Sequence, residues 1–546
     1  MRYALKASLG LALVLGAAAC SDYLSGPGLS TDPNNINKLT RPGPLYFGIQ
    51  AAQVVQREGQ VARDAVQYVQ QVAGTSRQSI GFDRYTTTPQ DLDTYFGAVY
   101  GSTRTLTGGG GLLDIRKMDQ VARRVNDSLY VGLGKVYEAL VIGYAADIWG
   151  DIPYREAADS AKLTPHFDPQ LQIYADLLKQ LDSAITTYLP ASGPSNLGPA
   201  QDNAELIYRG READLPRLYT QVAHSLKARI FMHLAELDPT SYPRALAEIG
   251  PPGLGSGGPG ISSPDDDFQW FSDGTPNGNN IWWQFSLTRA DVGPGSALVG
   301  IIKRRMAAGL EDGARAAFYF SCADCDGSPN DFYGARPGAA RNLQAAPGVD
   351  NGDGSPRGNY SFFGSFIDGS LITNSSGNFR QQEISWAESQ LIGAEATWHI
   401  NCPACDPSTV VPAAQPYLDA VRANRVYGTL DGARVTFPAL ASAPASLINI
   451  MEEKYVSLFL NPEVWNDYKR TCLPYLAPAA QPNSTTPGTT PIAARLPYGF
   501  TELNANPNTP TATNSVGTAL SSTSRNPNDP ASCPVLNYLN STPLAN

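Results

Sequence analysis

Chemistry in this chain would have to come from carboxylates, cysteines or aromatic faces, because the other usual reagents are scattered or missing. The acids that stand close together are Glu388 with Glu395, Glu452 with Glu453, and the run Asp265, Asp266, Asp267. Hydrolysis of a glycosidic bond needs two carboxyl groups about 5–10 Å apart across that bond. Glu388 and Glu395 share one helical face about 10 Å apart along the axis. Acids placed in this way on helices also pair with Lys and Arg of neighbouring helices, and that is the role expected of them here. The four histidines, His166, His224, His233 and His399, show no metal-like or triad-like grouping. His224 and His233 lie on one helix but do not share a face. There is no Gly-x-Ser-x-Gly elbow and no phosphate loop. No catalytic residue, cofactor or metal is therefore expected. Asp350, Asn351 and Asp353 hint at a calcium loop, but the alternating oxygen ligands of an EF-hand are not met, and a polar turn is the better reading.

The cysteines are Cys20 and, further on, Cys322, Cys325, Cys402, Cys405, Cys472 and Cys533. Two Cys-x-x-Cys pairs could supply four zinc thiolates. The 76 residues between the pairs exceed the gap of a zinc ribbon. In an exported chain disulfides are favoured over zinc. The spacing does not choose between local closure of each pair and cross-pairing; a Cys472–Cys533 bond would tie the C-terminal tail to the last long helix.

Sugars are held by flat aromatic faces flanked by side chains that hydrogen-bond hydroxyls, and such pockets form on loops over a rigid scaffold. Trp270, Phe271, Trp282 and Trp283 lie in or beside the loop 250–280, among Asp273, Asn277, Asn279 and Asn280. The same arrangement would hold peptide side chains. Trp282 and Trp283 point opposite ways if extended, so one of them is expected in the core.

The elements that must position these groups are helices. Residues 129–149 carry apolar side chains at i, i+3, i+4 and i+7, the pattern of an amphipathic helix with a wide buried face, and Gly150 and Pro153 end it. The same spacing predicts helices over 45–73, 91–100, 112–125, 168–189, 215–237, 298–308, 382–397, 415–427 and 447–470, with loop over 74–88 and a loop-rich insertion over about 250–380. The chain has 546 residues, 42% of them hydrophobic and 16% charged, so a large core is possible. A net charge of −10 argues against a nucleic-acid partner, which needs clustered cations.

Residues 1–19 read as a signal peptide: Arg2 and Lys6 precede an apolar run from Ala7 to Ala19 that is too short to span a bilayer. The sequence Ala17-Ala18-Ala19-Cys20 resembles a bacterial lipobox, with Ala17 where Leu is usual, which makes Cys20 the lipidation site of a stably anchored protein. Ser21 does not match the Asp that favours inner-membrane retention. Residues 20–44 are a lipidated Cys and tether, and 45–546 a single helical domain.

The segment 129–154, a helix ending Trp149-Gly150-Asp151-Ile152-Pro153-Tyr154, resembles the SusD/RagB family of nutrient-binding surface lipoproteins. So do Asp32-Pro33-Asn34, the run Ser225 to Glu236, the aromatic stretch with Trp282, Trp283 and Phe285 that closes on Tyr319-Phe320, and residues 382–397. The strongest resemblance is 447–474, with Glu453, Lys454, Trp465, Asp467, Tyr468, Lys469, Arg470, Thr471 and Pro474; Cys472 stands where the family has Gly. Residues 495–506 resemble the closing segment. The resemblance implies a mainly α fold, a tetratricopeptide-like helical repeat scaffold with long irregular loops. It also implies capture of oligosaccharides, or of peptides, for delivery to a TonB-dependent SusC-like transporter at the outer membrane. Arg84 and Tyr85 fall in a loop that often contributes binding residues in that family. Together with Trp270, Asn280, Trp282 and Trp283 they are the candidate ligand contacts. A secreted glycan hydrolase is the alternative from another class.

Overall fold

Most helices form where apolar spacing predicts them, and three of the departures occur at a glycine, a proline and a capping side chain. The structure, a computed structural model, describes residues 40–101, 109–159, 161–191, 203–275, 278–289, 291–321, 334–338, 362–363, 377–479 and 492–510. The expected signal peptide, Cys20, most of the tether including Asp32-Pro33-Asn34, Asn277, Cys322, Cys325, Cys533 and the turn at Asp350, Asn351 and Asp353 lie outside the described residues.

The single helix expected over 45–73 is two, α1 Gly43–Glu58 and α2 Gln60–Tyr68. They part at Gly59, where a Cβ would lie 2.1 Å from the Val55 carbonyl oxygen, so only glycine allows the bend. After α2 the chain enters a short strand, Val72–Gly74, paired antiparallel with Val292–Pro294. The expected loop 74–88 contains α3, Arg77–Asp83. Then come α4 Pro89–Tyr100, opened by a reciprocal Thr88/Asp91 capping box, and α5 Leu112–Arg124.

Helix α6, Ser128–Trp149, is capped by Asp127 and buries every residue except Ser128, Lys135 and Glu138. It is therefore a central helix enclosed on nearly all sides, not an amphipathic one with one wet face. It packs on α5, on α7 Gln170–Ser183 and on α8 Leu215–Leu234; α8 in turn folds back on α9 Ser241–Ile249. The next helices are α10 Ile281–Thr288, α11 Ser296–Ala307 and α12 Ala314–Tyr319. Helix α13, Trp386–Asn401, packs on α9, α14 Gln415–Ala423 and α15 Leu447–Ser457. This succession of stacked helix pairs is the tetratricopeptide-like arrangement.

Helix α13 begins later than expected. Gln382–Ile384 is a strand against Phe268–Gln269, and Ser385 caps the helix by accepting from the Glu388 N–H. The expected helix 447–470 is likewise two, α15 and α16, Glu463–Thr471. Leu460 is left-handed at φ 63° and Pro462 interrupts the ladder, while Asn461 Oδ1 accepts from the Glu463 N–H. Helix α17, Phe500–Ala505, is the last described.

The C-terminal segment closes onto α6: Trp149 Nε1 donates to Pro497 O at 2.9 Å and Leu496 N to Ile148 O at 3.1 Å. Residues from Gly43 onward form one compact unit. No described helix is long and apolar enough to cross a membrane.

Cys402 and Cys405 are bonded to each other just past α13. Cys402 sits at the helix C-terminus, where the dipole disfavours a thiolate, so the bond reads as a staple and not a redox pair. Closing so short a loop stabilises little: a Cys402→Ser/Cys405→Ser double variant is expected to lose no more than about 2 kcal/mol in urea unfolding. Cys472 is also in a disulfide. It is left-handed at φ 56° at the end of α16, a conformation that favours glycine.

Candidate functional site

Of the carboxylates flagged by spacing, Asp265 is exposed and pairs with Arg434, and the other six are buried and engaged. Glu388 receives Arg229 Nε at 2.8 Å and Nη2 at 2.7 Å, and Glu395 receives Arg470 Nη1 at 2.7 Å and Nη2 at 3.1 Å. Glu453 meets Arg305, Arg315 and Arg422, and Glu452 meets Arg304. Asp266 pairs with Arg211 and Arg217, while Asp267 accepts from Gln382 Nε2 and the Trp386 N–H. Burial pushes the Asp267 carboxyl up to about 8 against those two hydrogen bonds. Acids this engaged are not a hydrolytic pair facing a cleft.

The structure does bring His233 into a group that its spacing concealed. Its Nε2 stands 2.7 Å from Glu463 Oε1 and its Nδ1 3.1 Å from Asp147 Oδ1, joining α6, α8 and α16. Burial lowers the histidine's affinity for a proton, but Asp147 and Glu463 outweigh it and lift the pKa to about 9. These three are metal-ligating types within 4.8 Å of one another. A metal needs all its ligands about 2 Å from one point. Here the carboxylates face different ring nitrogens, and Arg229 Nε lies 3.7 Å from Glu463 Oε2. The geometry is that of a buried imidazolium held between two carboxylates.

Of the candidate ligand contacts, Trp270, Trp282 and Asn280 are interior. Trp270 is 1% exposed and its indole N–H donates to Glu383 Oε2 at 3.0 Å. Asn280 caps α10, accepting from the N–H groups of Trp282 and Trp283, and donates to Glu58 Oε2 at 3.1 Å. Trp282 is fully buried. Residues 281–288 are helical and not extended, so Trp282 and Trp283 point about 100° apart, and Trp283 stays half-buried. Gly377 is left-handed at φ 68° and approaches so closely that a Cβ would lie 2.8 Å from the Trp283 ring. Tyr85, also left-handed, is buried edge-on to Tyr68. Arg84 is half-buried and donates from Nε to Gly338 O at 2.7 Å. The six are thus not one pocket.

What the tertiary structure gathers instead lies where α2, α4 and α10 meet. The Arg63 guanidinium lies 4.3 Å from the centre of the half-buried Phe285 ring and 5.9 Å from that of Trp282. Tyr95, half-buried on α4, is close enough to Arg63 for the guanidinium to lower its pKa, though burial raises it more. Asp64 does not neutralise Arg63, because burial pushes its carboxyl up to about 8 despite a hydrogen bond from Gln60. Arg63 is buried, so what this group turns outward is the half-buried Phe285 ring and the half-buried Tyr95 phenol, which can stack a ring-shaped ligand and hydrogen-bond its oxygens. Phe285 was in the aromatic stretch of the sequence; Arg63 and Tyr95, on helices distant in sequence, carried no local signal.

A family model described as SusD-like, starch-binding associating with outer membrane, matches residues 33–499. Among solved structures, a SusD/RagB family protein from Bacteroides thetaiotaomicron is 16% identical with a TM-score of 0.59, covering 86% of this chain and 95% of that one. A SusD homolog from Bacteroides fragilis is 17% identical, TM-score 0.58, covering 85% and 94%. A chitin-binding SusD homolog from Flavobacterium johnsoniae is 16% identical, TM-score 0.54, covering 85% and 92%. Among curated proteins, none matches.

Proposed function

Because the chain belongs to the SusD-like family, whose description is starch-binding associating with outer membrane, we propose that it captures oligosaccharides at the outer membrane and delivers them to a TonB-dependent SusC-like transporter. It is a binding protein rather than an enzyme, held to the membrane by lipid on Cys20. The observation that carries the ligand class is the pair of half-buried rings, Phe285 and Tyr95, backed by the buried Arg63 guanidinium. Trp283, also half-buried, points away from Phe285 on the same helix and offers a separate aromatic contact. A hydrolase reading is not favoured, since the flagged carboxylates are bound to cations or backbone donors. Because two structural relatives are named as chitin-binding, N-acetylglucosamine oligomers are the first glycans to try.

Calorimetric titration with N-acetylglucosamine oligomers, malto-oligosaccharides and short peptides checks this. Saturable binding to one glycan series, weakened about tenfold or more by Phe285→Ala and by Trp283→Ala, is expected. Binding only to peptides would move the chain to the peptide-capturing alternative. Products appearing in the mass spectrum of the titrated glycan would sink the capture reading.

A further inference from the structure

A second cavity, of about 290 Å³, opens between α4, residues 153–165 and α17, apart from the Arg63 and Phe285 face. Phe96, Pro153, Ala157 and Pro165 line one part of it; Asp93 and Glu502 line another. This volume is at the bottom of the range for ligand sites, so it suits one small organic group and not a glycan chain.

The charges in it do not balance. No Lys or Arg is among its lining residues. Asp93 is used by the fold, accepting from Thr501 N at 2.6 Å and from Thr501 Oγ1 at 2.7 Å. Glu502 accepts from Asn506 Nδ2 at 2.7 Å, and among the described residues no ion pair reaches it. Burial raises its carboxyl above the ordinary range, with Asn506 alone opposing. Arg116, the neighbouring cation, is committed elsewhere: it donates to the carbonyls of Tyr154 and Ala157 and pairs with Glu138 at 3.4 Å. Tyr100 also lines the cavity; its hydroxyl is shielded from solvent and has no hydrogen-bond partner among the described residues, so its ring is what a guest meets.

A part-buried carboxylate without a counter-ion is costly, and a neutral guest does not relieve that cost. An ammonium does, through a charge-assisted hydrogen bond and attraction to an aromatic ring. We propose that this cavity binds a primary ammonium carried on a short carbon skeleton, with Glu502 as its counter-ion and Tyr100 as its second contact.

Ligand-observed NMR on the intact chain, with n-butylammonium and its neutral isostere n-butanol at constant ionic strength, tests it. Saturable n-butylammonium binding is expected, with n-butanol at least about tenfold weaker and Glu502→Gln losing about tenfold or more. Ala158→Lys, at an exposed rim position, is expected to fold normally and to block the site with its own ammonium. Equal affinity for the two probes, no saturable n-butylammonium signal, or unchanged binding in Glu502→Gln overturns the proposal. If Glu502→Gln does not fold, Ala158→Lys decides, and retained binding in it overturns the proposal. Glycan titration of the same variants keeps this result separate from the capture reading.

Discussion

Replacing Glu453 by Leu is expected to lower the unfolding free energy by about 3–5 kcal/mol, because it removes the carboxylate shared by three buried guanidiniums and leaves Arg422 without a counter-ion among the described residues. Arg305, Arg315 and Arg422 all converge on this one carboxylate, and all four side chains are at most 3% exposed. Arg315 keeps Glu311, but Arg422 has no second carboxylate within ion-pair distance among the described residues. The total stability of a domain is commonly about 5–15 kcal/mol, so the loss is a large fraction of it. The pH behaviour follows the same group. Burial alone would raise the Glu453 carboxyl, yet the three guanidiniums hold it down at about 2. A depressed folded-state value contributes stability above the unfolded value, and that contribution disappears as pH falls toward 2. Urea midpoints for wild type and Glu453→Leu at pH 7 measure the loss. A change below about 1 kcal/mol would mean the guanidiniums are satisfied without Glu453.

The second large effect lies at high pH. His233 titrates at about 9 in the folded chain, above its unfolded value. Its contribution is therefore complete below the unfolded value of about 6.5 and lost as pH rises through about 9, a difference of about 3 kcal/mol. The groups facing it are Asp147 on α6, Glu463 and Asn466 on α16, Tyr174 on α7, whose hydroxyl donates to Asp147, and Arg229 on its own helix, with Lys469 bonded to the Asp147 carbonyl. Once the imidazolium loses its proton, two buried carboxylates face a neutral ring. Other acids titrate near pH 8, so the difference between wild type and His233→Gln isolates the histidine. The unfolding free energy of wild type is expected to fall more steeply between pH 7 and 10 than that of the variant. Parallel slopes would show that His233 is not a charged clamp.

The helices were largely legible because helix formation is local. Apolar spacing located α4, α5, α6 and α8 closely, and a start at Pro89 accords with Thr88 and Asp91 as a capping box. The misses were local too. Gly59, Ser385 and Pro462 each stop or start a helix, and each was outvoted by the apolar periodicity running across it. The candidate site was less legible. Trp270 and Trp282 had the right chemistry for a ligand face, but side-chain type does not reveal which face of an element turns inward. Arg63 and Tyr95 acquire interest only because α2, α4 and α10 pack together.

By itself, the sequence determined the helical class, the family, and the fact that the acids on α13 and α15 would need cations. Each of these depends on residue type and near-neighbour spacing, which the chain carries along its length. Only the tertiary structure decided which cation meets which acid, that His233 lies between carboxylates from two other helices, and that Glu502 faces a cavity with no counter-ion among the described residues. Those are distances between residues tens to hundreds of positions apart, and electrostatic energies depend on such distances and on burial, neither of which exists until the helices have packed.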